Sequence, residues 1–174
     1  VIYNEQILAI PNACLPEESI IINRGDMRAY TGNKSIDTID ELIAISGAYK
    51  MLGSMLETEV IPICFTWDQL LDVVARTYSV LPNRYGVIGK NFTTREQPKA
   101  FREKFMSDVK KWYQNGLLHP NFFTATKEEM RLEFILGRGM MYVAEYSEIP
   151  QDFKEFTTNV PEGVYELIKT PTNL

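Results

Sequence analysis

Two short runs pair an aromatic side chain with a carboxylate: Thr66-Trp67-Asp68, directly after the apolar run VIPICF (60–65), and Glu145-Tyr146, directly after GMMYVA (139–144). An aromatic ring covers the C–H surface of a sugar while a neighbouring acid accepts hydrogen bonds from its hydroxyls, so this pairing suits recognition of a polyhydroxylated ligand. The same residues have a plainer use. Asp68 and Glu145 suit a helix N-terminus, where the macrodipole favours negative charge, and both rings can simply pack on the domain. Asn12, Glu17 and Glu18 add polar groups after the segment QILAIPN (6–12).

Nucleophilic chemistry has one candidate. Cys14 and Cys64 are the only cysteines, and a reactive thiol needs a nearby base or cation to become thiolate. The sequence identifies none, and a small buried hydrophobe is the commoner role of a lone cysteine; in an exported protein the two could also form one bridge. His119, the sole histidine, precedes a proline in a turn and has no sequence neighbour that makes it a base or metal ligand. No catalytic residue, metal or cofactor is expected.

The elements that position these residues follow from caps and periodicity. SIIIN (19–23), VIPICF and GMMYVA are short, β-branched or apolar runs bounded by breakers, which predicts buried strands. Thr38 with Glu41, Thr66 with Gln69 and Thr126 with Glu129 have the spacing of reciprocal capping boxes, so helices start at each. The first carries an apolar stripe of Ile39, Leu42, Ile43, Ile45 and Tyr49 that weakens near Gly53. NRYGVIGKNF (83–92) reads as a loose hairpin or loop. Pro98 fits the first turn of the longest helix, which carries Phe101, Phe105, Val109, Trp112 and Tyr113 on one face. WYQNGLLHPNFFT (112–124) ends it. With Gly116 at C′, Asn115 is the C-cap, Trp112 is C3 and Leu117 is C″, the arrangement in which a left-handed glycine closes a helix. Pro120 then prevents the helix from resuming, and Phe122 and Phe123 are expected to tuck into the core. SEIPQDFKEF (147–156) is predicted to be a short helix capped by Ser147, and GVYELIK (163–169) a last strand. Alternating strands and helices argue an α/β layer structure with a mixed, mostly parallel sheet flanked by helices. In such sheets ligands are held outside the carboxyl ends of the strands, where Thr66–Asp68 and Glu145–Tyr146 fall.

Composition narrows the function. A chain of 174 residues with 45% hydrophobic and 24% charged residues is ordinary for one globular domain. Its net charge of −5, with basic residues scattered among acids, argues against a nucleic-acid partner. No apolar run is long enough to span a bilayer, and the first residues lack the basic start of a signal peptide.

Taken in order, the segments resemble a family. WYQNGLLHPNFFT…F..GRGMM resembles the Y.EGL.DP.F.T…F..GKAAM pattern of bacterial extracellular solute-binding proteins, family 1, the capture subunits of ABC importers, which include maltose- and oligosaccharide-binding proteins. ILAIPN…SIIINRGDM is similar to their YAIPY…LYYNKDLL, and SIDTIDELIAISGAYK to their PKTIDELYEVAKAFK. IPICFTWDQLL and YELIKTPTN sit where the family has its PL…W segment and its GVAPLPT strand. His119 stands where the family usually has Asp, and Gly139 where Ala is common.

The resemblance implies a periplasmic-binding-protein type 2-like fold. Family members have two α/β lobes with the ligand between them, and this chain matches the segment between the two crossings, so residues 1–174 are expected to form a single lobe, the second, whose sister half completes the site. It further implies capture of a small solute, most often a carbohydrate, delivery to ABC permease subunits, and an extracellular, lipoprotein-anchored or periplasmic setting, without catalysis. The ligand contacts it implies are Asn12, Glu17, Thr66, Trp67, Asp68, Glu145 and Tyr146. Two other functions remain open on the same fold: an enzyme using Cys14, and the ligand-binding domain of a sensor or receptor.

Overall fold

The computed structural model describes residues 2–3, 6–7, 19–32, 35–77, 87–88, 91–92, 99–168 and 171. In chain order the elements are β1 (Ile2–Tyr3), β2 (Gln6–Ile7), β3 (Ser19–Arg24), α1 (Gly25–Ala29), α2 (Ile39–Met55), β4 (Ile61–Cys64), α3 (Trp67–Thr77), β5 (Val87–Ile88) and β6 (Asn91–Phe92). They continue with α4 (Lys99–Gln114), α5 (Lys127–Ile135), β7 (Gly139–Glu145), α6 (Ile149–Asn159) and β8 (Tyr165–Ile168).

A four-stranded sheet in the order β4-β7-β3-β8 forms the centre, and β1-β2 and β5-β6 are small separate hairpins. The expected loop or hairpin at 83–92 is thus a hairpin at its described residues. In the central sheet β4 pairs parallel with β7, while β3 pairs antiparallel with both β7 and β8. Three strands therefore run one way, giving the expected mixed and mostly parallel sheet. Because the one reversed strand lies inside, the β7-β3 and β3-β8 pairings are nonetheless antiparallel.

The strands expected to be buried are so. Ile20 to Ile22, Ile61 to Phe65 and Met140 to Ala144 are buried, and with Leu42, Tyr49, Leu70, Met130, Phe134 and Phe156 from the helices they make one core. Such continuous burial, rather than alternation, is what a sheet covered on both faces requires. Polar groups taken inside are paired: the Tyr49 hydroxyl donates to Asn23 Oδ1 at 2.8 Å, and Tyr142 Oη and the Arg131 guanidinium both donate to the buried carboxylate of Asp152.

The stretch 112–124 does two jobs. Gly116 adopts φ +66°, its N–H donates to Tyr113 O at 2.9 Å, and the Leu117 N–H donates to Trp112 O at 3.0 Å. This is the six-to-one and five-to-two pattern of a Schellman stop, with the cap positions read from sequence. The chain then runs beside β4, where Ile63 N–H donates to Leu117 O (3.0 Å) and His119 N–H donates to Ile63 O (3.2 Å). The stop thus turns the chain onto the outer edge of β4, covering backbone groups that an edge strand leaves unpaired.

Two expectations need correction. Phe122 is buried, but Phe123 is 59% exposed. Phe122 N–H is drawn back to His119 O in a turn, and successive residues of a tight turn cannot both face inward. The N-cap of α6 is Glu148, not Ser147, and it has no side-chain cap bond. Its carboxylate instead accepts from the Glu145 N–H at 3.1 Å, closing a tight turn between β7 and α6. In addition, α2 continues through Gly53 to Met55, and Gly53 packs where a Cβ would lie 2.7 Å from Val60. Pro98 and the side chain of Phe101 lie outside the described residues.

Candidate functional site

Because β4 and β7 are parallel, with Cys64 opposite Tyr142, the turns that follow them emerge at the same edge of the sheet. Between these turns lies a cleft of about 260 Å³ lined by Asp68, Gln69 and Asp72 of α3, Val143, Ala144 and Glu145 of β7, and Lys127 of α5. The capping box at the start of α3 sets one wall. Thr66 Oγ1 accepts from the Gln69 N–H at 3.3 Å, and Gln69 Oε1 accepts from the Thr66 N–H at 3.0 Å. The amide nitrogen of the same Gln69 donates to Val143 O at 3.1 Å, tying the β4-α3 turn to β7.

The opposite wall is electrostatic. Lys127 is the first residue of α5, behind the Thr126–Glu129 capping box. A cation there opposes the helix dipole, and two carboxylates offset this: the ammonium donates to Glu145 Oε1 and, at 3.2 Å, to Glu148 Oε1. Partial burial pulls the Lys127 pKa down, yet the hydrogen bonds it donates to the two glutamates outweigh this and hold the group above its ordinary value. Lys127 therefore stays charged and committed.

Trp67 turns away from the cleft. Its ring meets Phe105 edge-on at 5.2 Å between centroids and stacks with Phe123 at 5.1 Å, and the Trp67 backbone N–H donates to Phe122 O at 3.2 Å. Phe123 and Tyr113 leave this aromatic group partly open to solvent.

Of the residues anticipated for the site, the structure brings Asp68 and Glu145 together in the cleft. Thr66 stands at its edge with its hydroxyl engaged as a cap. Trp67 and Tyr146 are not in the lining; Tyr146 is exposed on the β7-α6 turn. Asn12 and Glu17 lie outside the described residues, as do Glu18 and Cys14. Gln69, Asp72 and Lys127 were missed. Helical spacing from Asp68 carries the signal for Asp72, four residues on, whereas Lys127 reaches the cleft through a non-local contact with β7 that no local pattern announces. Cys64 is a free, fully buried thiol, and burial pushes its pKa up, away from thiolate. Among the described residues no cluster of His, Cys, Asp or Glu could hold a metal ion, and no helix is long and apolar enough to cross a membrane.

No family model and no curated protein matches the chain. Solved structures do. The chain is similar to an alginate-binding protein, AlgQ2, without calcium ion (TM-score 0.69, 20% identity, covering 89% of this chain and 32% of that one). It is also similar to a maltose-bound MalE3 of T. maritima (0.59, 16%, 89% and 39%) and to a sugar transporter protein of Bacillus licheniformis in complex with stachyose (0.56, 14%, 91% and 41%). The chain thus spans about a third to two fifths of the length of these proteins. It has the mixed α/β fold of one part of these proteins, whose names speak of alginate binding, bound maltose and sugar transport.

Proposed function

We propose that this chain is the ligand-binding lobe of an extracellular solute-binding protein that captures a carbohydrate and presents it to the permease subunits of an ABC importer. The observation that carries this reading is the cleft at the carboxyl ends of two parallel strands, on a fold shared with an alginate-binding protein, a maltose-bound protein and a sugar transporter protein in complex with stachyose. Ligands of open α/β sheets bind at that edge. Asp68 and Glu145 supply hydroxyl acceptors, Trp67 and Tyr146 flank them in the chain, and Asn12 and Glu17 complete the contacts the family resemblance assigns. A second lobe of the same protein closes over the ligand, and the permease recognises the closed form. In the full protein the lobe is extracellular or periplasmic, anchored as a lipoprotein.

Half a site binds weakly. If two lobes reach a micromolar Kd, about −8 kcal/mol, one lobe keeping half of that binds near the millimolar level. Titration of the isotope-labelled 174-residue chain with neutral oligosaccharides should move the amide NMR signals of Asp68, Gln69, Glu145 and Tyr146 with a Kd of about 1 mM. Shifts confined to other surfaces, or none with any saccharide, would reject the carbohydrate reading. A micromolar Kd for this chain alone would reject the one-lobe reading.

A further inference from the structure

Resting on that carbohydrate reading, a second feature of the same sheet edge extends it. The segment 117–123 runs alongside β4, and its Phe122 O accepts from the Trp67 backbone N–H at 3.2 Å, level with the first residue of α3. Phe123 therefore stands at the carboxyl edge of the sheet, as the cleft does. Asp68 and Gln69 of α3 face the cleft, and Trp67 of the same turn faces Phe123.

A single exposed apolar ring is ordinary on a protein surface. Phe123 differs in being held in place while open. Its ring stacks on Trp67 with 26° between the planes and meets Phe122 at 4.0 Å between centroids, yet it is 59% exposed. Its backbone lies in a turn closed by the Thr124 and Ala125 N–H groups, which donate to Asn121 O at 2.9 and 2.8 Å. Trp67 is braced in turn by the edge of Phe105. A ring fixed before binding loses little rotamer freedom on contact, and its face suits the C–H surface of a pyranose, which a carboxylate cannot cover.

We propose that Phe123, backed by Trp67, is a stacking platform for a sugar ring beyond the cleft, so that the lobe takes a chain of sugars in preference to a single one. A helix with its side chains is about 10 Å across, wider than one pyranose, and a monosaccharide in the cleft does not reach the platform. A longer saccharide crosses the start of α3, with hydroxyls on Asp68 and Glu145 and a later ring on Phe123. The carboxylates anchor the chain, and the platform responds to its length.

The test is a set of parallel NMR titrations of the 174-residue chain with glucose, maltotetraose and cellotetraose. Glucose should shift the Asp68, Gln69 and Glu145 amides alone, whereas at least one tetrasaccharide should also shift the Phe123 amide and the Trp67 indole signal. Phe123→Ala should cut the preference for that tetrasaccharide over glucose by about three- to tenfold, the range of one aromatic contact. Phe123→Tyr should keep the preference and Phe123→Leu, apolar but without a ring, should lose most of it. The unchanged remainder of each spectrum shows that the variants are folded. A preference indifferent to Phe123→Ala, or one that Phe123→Leu preserves in full, overturns the platform while leaving the carbohydrate reading standing. Phe123 signals that move with protein concentration and not with sugar assign the ring to contact between copies of the chain and overturn the platform likewise. Absence of any response to all three sugars overturns both together.

Discussion

The side-chain amide of Gln69 spans two turns at once: its oxygen accepts from the Thr66 N–H at 3.0 Å and its nitrogen donates to Val143 O at 3.1 Å. One residue thus caps α3 and fastens it to the end of β7, fixing the width of the cleft. Gln69→Ala removes both bonds and should destabilise the fold by about 1–2 kcal/mol in chemical denaturation. Gln69→Glu keeps the acceptor for Thr66 but sets a carboxylate against a carbonyl. It should do no better than alanine. Equal stability of Gln69→Glu and the parent chain would mean that the Val143 bond contributes nothing.

Neighbouring phenylalanines should respond very differently to truncation. Phe122 is 1% exposed and packs under Trp67 and Tyr113, so Phe122→Ala should cost about 3–5 kcal/mol. Phe123 is largely exposed and touches Trp67 by stacking, so Phe123→Ala should cost about 0.5–1.5 kcal/mol, the range of an aromatic pair. Comparable midpoint shifts in urea for the two variants would contradict their placement.

Much of the fold was legible because its signals are local. A threonine and a glutamate or glutamine three residues apart announce α2, α3 and α5, and all three boxes form reciprocally. Gly116 announces the end of α4 for a steric reason, since the left-handed turn there is open to glycine at little cost. Ser147 has the propensity of a cap, but the β7-α6 turn decides the start of α6, because the longer Glu148 side chain reaches back to the Glu145 N–H. The site was half legible. Asp68 and Glu145 follow from the rule that ligands sit at strand carboxyl ends, but the sequence does not say which way Trp67 faces. That direction is set by Phe105 and Phe122, which arrive from α4 and the turn beyond it.

Two capping boxes also give the fold an acid-sensitive component. Backbone N–H groups of Asp37 and Thr38 hold Glu41 below its ordinary pKa, and the backbone N–H and hydroxyl of Thr126 do the same for Glu129. A carboxyl with a lower pKa in the folded chain stabilises it above its unfolded value of 4.5. That contribution is lost as pH falls through the depressed folded value. The Tm should therefore decline below about pH 4.5. Glu41→Gln with Glu129→Gln, which keep the cap shape without the titration, should make that decline shallower. An unchanged slope of Tm against pH would remove the boxes as its source.

Gly139 stands where the resembling family commonly has alanine, and its neighbours give the reason. A Cβ built there would lie 2.7 Å from Cys64 Sγ and 2.9 Å from the Phe134 backbone nitrogen, so the sulfur of β4 fills the space that a methyl group at the start of β7 would need. Gly139→Ala should cost about 1–3 kcal/mol by overpacking. This exceeds the cost of Gly116→Ala, about 1 kcal/mol, where only the left-handed backbone resists and the nearest side-chain atom, Lys50 Cε, lies at 3.4 Å. Removing the sulfur should relieve the first contact but not the second. In a double-mutant cycle, Cys64→Ala with Gly139→Ala should therefore cost less than the two single changes added together, by at least about 0.5 kcal/mol, without restoring the parent stability. Strict additivity in urea denaturation would show that the Phe134 backbone alone opposes the methyl group, and that the cysteine and the glycine are not coupled across the sheet.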